Sequence, residues 1–276
     1  MSRERRKVER SLDLEHLNVR AGQFVTGATG GRAETRTASL SEALDNAERA
    51  RIEIAFPVGQ ASITALAPGS PNLFEAELTY VGEYEFDVIG AAERVISLRQ
   101  RCSVASELGA LAGRARDLRW DISLARGLPI RLGIAAGVGE AEIDLGGLHI
   151  EALRLETGVG KTLVKLPAPG TPLAARIRGG VGITEVMIPA AAFGELDIKG
   201  GLGAVHICAS PSLAARVEAK AGLGAIELPP TFARVSGENT AKSRLVWQSA
   251  DYADAEQSII IRYQGGVGRF KLETAD

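Results

Sequence analysis

The chain has 276 residues, 45% of them apolar, enough to bury a large core and too many for extensive disorder. Its 32 lysines and arginines nearly balance 34 aspartates and glutamates, and a net charge of −2 excludes a general polyanion binder, so nucleic acid is not an expected partner. Cys102 and Cys208 lie far apart and His16, His149 and His206 are scattered singly, which leaves few of the residues a zinc cluster needs; no metal or other cofactor is expected.

The first residues, MSRERRKVERSLDLE, carry charge where an export signal needs an apolar stretch, and no apolar run reaches the roughly 18–20 residues of a bilayer crossing. The expectation is a soluble, cytoplasmic protein. Residues 1–50 read as a flexible basic tail with a short strand (12–20) or helix, in which Arg3, Arg5, Arg6, Lys7 and Arg10 would meet a partner or hold the chain peripherally at a membrane surface.

From residue 51 onward the reading is one all-β domain. Residues 73–80, 84–89 and 94–99 alternate apolar and polar side chains as half-buried strands do, and 51–101 reads as an irregular first half. Ile52, Ile54, Pro57-Val58-Gly59 and Ile63 already carry the pattern that becomes regular later. Residues 102–118 have helix-forming composition and read as a helix or loop connecting two halves.

Over 119–228 a repeat takes over. Gly-(Val/Leu)-Gly recurs at Gly137 and Gly139, Gly158 and Gly160, Gly180 and Gly182, Gly201 and Gly203, and Gly222 and Gly224, every 21 or 22 residues. It returns at Gly266 and Gly268, 44 residues on, as though one motif of the series were lost. The flanks repeat too. Five residues before the first glycine stand Leu132, Leu153, Ala175, Leu196, Val217 and Ile261, and six after it stand Ile143, Val164, Val186, Ile207, Leu228 and Leu272. Two strands meeting at a glycine corner, each with one face toward a core, make a coil that only a neighbouring coil can cover. The predicted fold is therefore a β-solenoid, a stack of parallel coils like a parallel β-helix, with the glycines as structural corners. The apolar middle residue, wasteful at a hairpin tip, is expected to point inward. Residues 229–257, which open on Pro229-Pro230 and hold Trp247 and Tyr252, read as a loop or cap before a final coil at 258–276.

The segments IEIAFPVGQASI, AELTY, RVISLRQ, the run from Asp117 to Gly170 and IIIRYQGGVGRFKLE resemble the toast-rack domain and the C-terminal domain of LiaF-type cell-envelope stress-response proteins, over roughly residues 50–276. Adhesin-type domains share similar patterns. The resemblance implies no active site and a role in sensing or restraining envelope-stress signalling. In LiaF-like proteins the domain follows membrane spans, which this sequence does not show.

Catalytic motifs fail on inspection. Glu156-Thr157-Gly158-Val159-Gly160-Lys161-Thr162 ends like a phosphate-binding loop, yet Leu155 replaces its first glycine and a strand pattern follows in place of a helix. The glycine pairs lack the third glycine of a dinucleotide fingerprint. His206 and Cys208 share one strand face with no second ligand pair. Glu142, Glu185 and Glu227 recur at one offset, which suits a carbohydrate-active β-helix and equally a wet solenoid face. The expectation is a non-enzymatic interaction or regulatory module with a protein or membrane-associated partner. Self-assembly through the solenoid ends and carbohydrate binding or turnover are the alternatives.

Overall fold

Each glycine corner joins two strands, and in the computed structural model the corners lie directly on one another. The structure describes residues 35–101, 116–167, 170, 172–190, 192–220, 222–237 and 244–274. The expected strand at 12–20, the basic residues of the tail and the connector's helix or loop over 102–115 fall outside them.

The solenoid begins with β2 (Arg49–Ala65) and β7 (Pro129–Asp144), two long strands that run through their corners and pair in parallel from Ala50↔Ile130 to Ile63↔Ile143. Beyond β7 each coil has two strands. They are β8 (His149–Glu156) with β9 (Val159–Lys165), β10 (Leu173–Arg178) with β11 (Val181–Ile188), and β12 (Gly194–Lys199) with β13 (Leu202–Ala209). The strands before the corners stack in one sheet and those after them in a second. The inward rows lie between the two sheets. Leu132, Leu153, Ala175, Leu196, Val217 and Ile261 are at most 2% exposed. Such aliphatic layers supply the main stabilisation, at about 25 cal/mol per Å² of apolar surface removed from water.

The coil that comes last in sequence is not last in space. β18 (Ile259–Gln264) pairs with β12 on one side and with β14 (Ala215–Lys220) on the other, and β19 (Val267–Thr274) lies between β13 and β15 (Leu223–Glu227). The chain thus builds coil 215–227, leaves the stack through 229–257, and returns to insert its C-terminal coil one place earlier. Charge explains the order. In register, Arg262 falls between Asp197 and Glu218, and Gln264 between Lys199 and Lys220. Direct pairing of β12 with β14 would set acid against acid and lysine against lysine.

Both ends carry extra strands. At the first end β5 (Glu93–Arg101) and β6 (Arg119–Leu124) pair in parallel with the two halves of β2. β4 (Glu83–Ile89) then pairs antiparallel with β5, β3 (Asn72–Tyr80) with β6, and β1 (Arg36–Ala43) with β3. β1 is a short strand within the span 1–50, where the expectation is a tail with a short strand or helix; its alternation is weak because Thr37, Ser39 and Ser41 face outward and only Ala38 and Leu40 reach the core's edge. At the other end β16 (Phe232–Ser236) and β17 (Leu245–Ser249) form an antiparallel pair whose β17 covers β14, followed by a 3-10 turn at Ala250–Ala253. Trp247 lies on β17 and Tyr252 in the turn.

Candidate functional site

Close approach of the coils fixes what occupies the corners. A Cβ placed on Gly158, Gly180 or Gly201 would lie 1.8–1.9 Å from the carbonyl oxygen of the first glycine of the preceding coil, and on Gly266 2.1 Å from that of Gly201. The second glycines, Gly139, Gly160, Gly182, Gly203, Gly268 and Gly224, all have φ between 129° and 157° and stack in the same way. Position 137 rests against Pro57 and Gly222 against Gly266, so both glycine columns repeat the coil order found in the strands. The N–H groups of Val181, Leu202, Val267 and Leu223 donate to the first-glycine carbonyls of the preceding coils at 2.8–2.9 Å.

With a neighbouring carbonyl on each side of the corner, the middle residue has only the outside left. This overturns the expected inward corner. Val159 is 49% exposed, Val181 46%, Leu202 54%, Val267 47% and Leu223 76%. Ile183, two residues past the corner, adds 41%. The phase change sits at the second glycine, after which the inward row resumes at Thr162, Thr184 and Val205. The product is an aliphatic row along the corner edge, one side chain per coil at the roughly 4.8 Å strand spacing.

The head of this row is covered. Val58, Val81 and Leu118 are each at most 6% exposed and pack together in a small apolar cluster apart from the main core, with half-buried Val138 against it. From Val159 onward the row meets solvent. Isolated apolar surface residues need no explanation, but a contiguous set of this kind does.

Elsewhere the predicted residues separate. In the post-corner sheet the register runs Glu142, Leu163, Glu185, His206, Lys271, Glu227, so no two of the three carboxylates are neighbours. Each instead meets a cation: Glu142 with Lys165 at 3.5 Å, Glu185 with Lys161 at 3.1 Å and Glu227 with Arg269 at 3.3 Å. Cys208 lies between Met187 and Glu273, and His149 lies in the other sheet beside Pro129. Among the described residues no three His, Cys, Asp or Glu side chains converge as a metal site. The phosphate-loop lookalike is a corner followed by strand β9, with Lys161 bound to Glu185 and Thr162 buried. No helix among the described residues is long and apolar enough to cross a membrane.

The strongest charge cluster is structural and had no counterpart in the sequence reading. Arg262 donates from Nη1 and Nη2 to the two carboxylate oxygens of Glu195 at 2.9 Å each and from Nη1 to Asp197 at 3.4 Å. The Arg262 hydrogen bond holds the Glu195 carboxyl below its usual range; Glu218 is held low chiefly by its hydrogen bond from Arg216. Opposite charge spaced across 67 residues was the signal that could have revealed it.

The family model for the N-terminal domain of toast_rack, DUF2154, matches residues 29–187. Among solved structures, a candidate cell adhesion protein from Clostridium sporogenes aligns with a TM-score of 0.59 at 18% identity, over 88% of this chain and all of that one (100%). A candidate adhesin from Bacteroides fragilis aligns with a TM-score of 0.39 at 13% identity, over 87% of this chain and 97% of that one. The first likeness is one of fold. No curated protein matches the chain.

Proposed function

This chain belongs to the family of the toast_rack N-terminal domain, and we propose that it is a non-enzymatic interaction module of bacterial cell-envelope stress physiology, which takes a protein or membrane-associated partner. The observation that carries the reading is the exposed aliphatic row of Val159, Val181, Leu202, Val267 and Leu223 along the stacked corners. A solenoid presents evenly spaced side chains over a long surface, which suits recognition. Adhesion, the role that the name of the similar Clostridium sporogenes protein carries, is also a matter of surfaces and not of turnover. We further propose a cytoplasmic location, at the periphery of the membrane.

The test compares the full chain with the double variant L202E/V267E for recovery of partners from a detergent-solubilised envelope fraction and for co-sedimentation with anionic lipid vesicles. The reading expects a severalfold loss in one of the two assays with unchanged circular dichroism. Equal recovery in both would overturn it.

A second reading, self-assembly, is favoured by β15. Among the described residues it pairs with β19 alone, and its Leu223-Gly224-Ala225-Ile226 edge lacks the lysine or proline that guards exposed strands. A larger sedimenting species abolished by I226K would support it, and a strict monomer at high concentration would remove it.

A further inference from the structure

Resting on the interaction reading, we propose that the chain's own N-terminal segment lies along the corner row and is its resident occupant, so that a partner must displace it. The argument starts where the segment enters the fold. β1 begins at Arg36, opposite Tyr80 of β3. The next residue after Tyr80 is Val81, which packs on Leu118 and Val58 at the head of the row. The chain before residue 35 therefore joins the fold at the one end of the row that is already covered, in line with the side chains that are not.

Length and composition fit. Thirty-four residues precede Thr35. The row from Val81 to Leu223 spans nine coil positions, roughly 38 Å at the strand spacing, which about 12 extended residues would cover. The stretch Gly27-Ala28-Thr29-Gly30-Gly31 holds three glycines, and Leu17, Val19, Phe24 and Val25 before it supply aliphatic and aromatic side chains. Area separates this occupant from a second copy. The exposed part of the row amounts to on the order of 500 Å², so a free molecule has to bury neighbouring surface as well to reach the roughly 800 Å² per partner of a stable complex. A tethered segment has an effective concentration in the millimolar range and holds on so small a contact.

The experiment uses the full chain with Cys102 and Cys208 replaced by alanine and two cysteines introduced: V19C with L202C on the row, or V19C with I89C, an exposed site on β4 away from it. Under mild oxidation the row pair is expected to close within single molecules at least tenfold faster than the control pair, at a rate independent of protein concentration, and L17D/F24D should slow it to the control's rate. Equal rates for the two pairs would overturn the proposal. So would row crosslinks that form only between molecules and accelerate with concentration, which would assign the row to a second copy. Failure here is distinguishable from failure of the interaction reading: without intramolecular closure, L202E/V267E would still cut partner recovery if the row binds only foreign partners. If the segment does occupy the row, L17D/F24D should raise that recovery.

Discussion

Arg262 and Glu195 meet through two parallel hydrogen bonds of 2.9 Å, although 67 residues separate them in the chain. This pair, with Asp197 at 3.4 Å and Glu218 at 4.0 Å, fastens an inserted coil to both neighbours at once. The guanidinium's planar fork suits bidentate binding as a lysine's single ammonium does not.

Replacing Arg262 by methionine keeps the aliphatic stem and removes the fork. We expect a drop of roughly 2–4 °C in Tm at neutral pH. The pH dependence carries a second signature. Glu195 and Glu218 have folded-state pKa values lowered from 4.5, so their contribution is present above the unfolded value and lost as pH falls through the folded one. Wild type should lose stability below about pH 4.5, and R262M should lose less over the same interval because part of that interaction is already gone. Thermal melts between neutral pH and pH 3 decide it.

The glycine columns allow a graded test. In G201A the new Cβ would meet the Gly180 carbonyl at 1.8 Å, a contact backbone cannot relieve without unstacking coils, and we expect a loss above about 4 kcal/mol or no folding. G69A has open space but a φ of 81°, and should cost about 1–2 kcal/mol. G170A has neither a neighbour within 4 Å nor a positive φ, and should stay within about 0.5 kcal/mol of wild type. Urea unfolding of the three variants ranks them.

The outward corner predicts a contrast between residues four apart. Leu202→Asn removes a side chain that is 54% exposed and should change stability by no more than about 0.5 kcal/mol. Ile198→Ala empties a site that is 1% exposed and should cost about 2–5 kcal/mol. An L202N loss as large as that of I198A would return the corner residue to the interior.

What the sequence makes legible follows from what the glycines record. Their spacing and the rows around them report coil length and inward faces, and β3, β4 and β5 nearly coincide with the alternating stretches at 73–80, 84–89 and 94–99. Hydrophobicity does not report direction. Val181 and Val186 look alike in sequence, yet one is 46% exposed and the other fully buried, because direction depends on carbonyls contributed by the next coil. Coil order is hidden for a related reason: every coil carries the same corner, so Gly266 fits against any of them, and the charges at 195, 197, 199, 218, 220 and 262, with the size of Tyr263 against Ala219, distinguish the neighbours.

That hidden order makes the most discriminating prediction. Ending the chain at Ser258 removes β18 and β19, which would merely trim a solenoid whose last coil in sequence were also last in space. Here it removes an interior coil. β14 and β15 would lose the partners of Ala215–Lys220 and Leu223–Glu227, and closing the gap would oppose Asp197 to Glu218 and Lys199 to Lys220. The large core side chains Tyr263 and Phe270, stacked at 4.3 Å, would go as well, and Ala219, which faces Tyr263 in register, is too small to fill their place against Ile198. We expect amide hydrogen exchange in the shortened chain to show residues 215–227 unprotected while 130–165 keep their protection. Retained protection at 215–227 would mean that the coils can close ranks, and that Arg262 does not set their order.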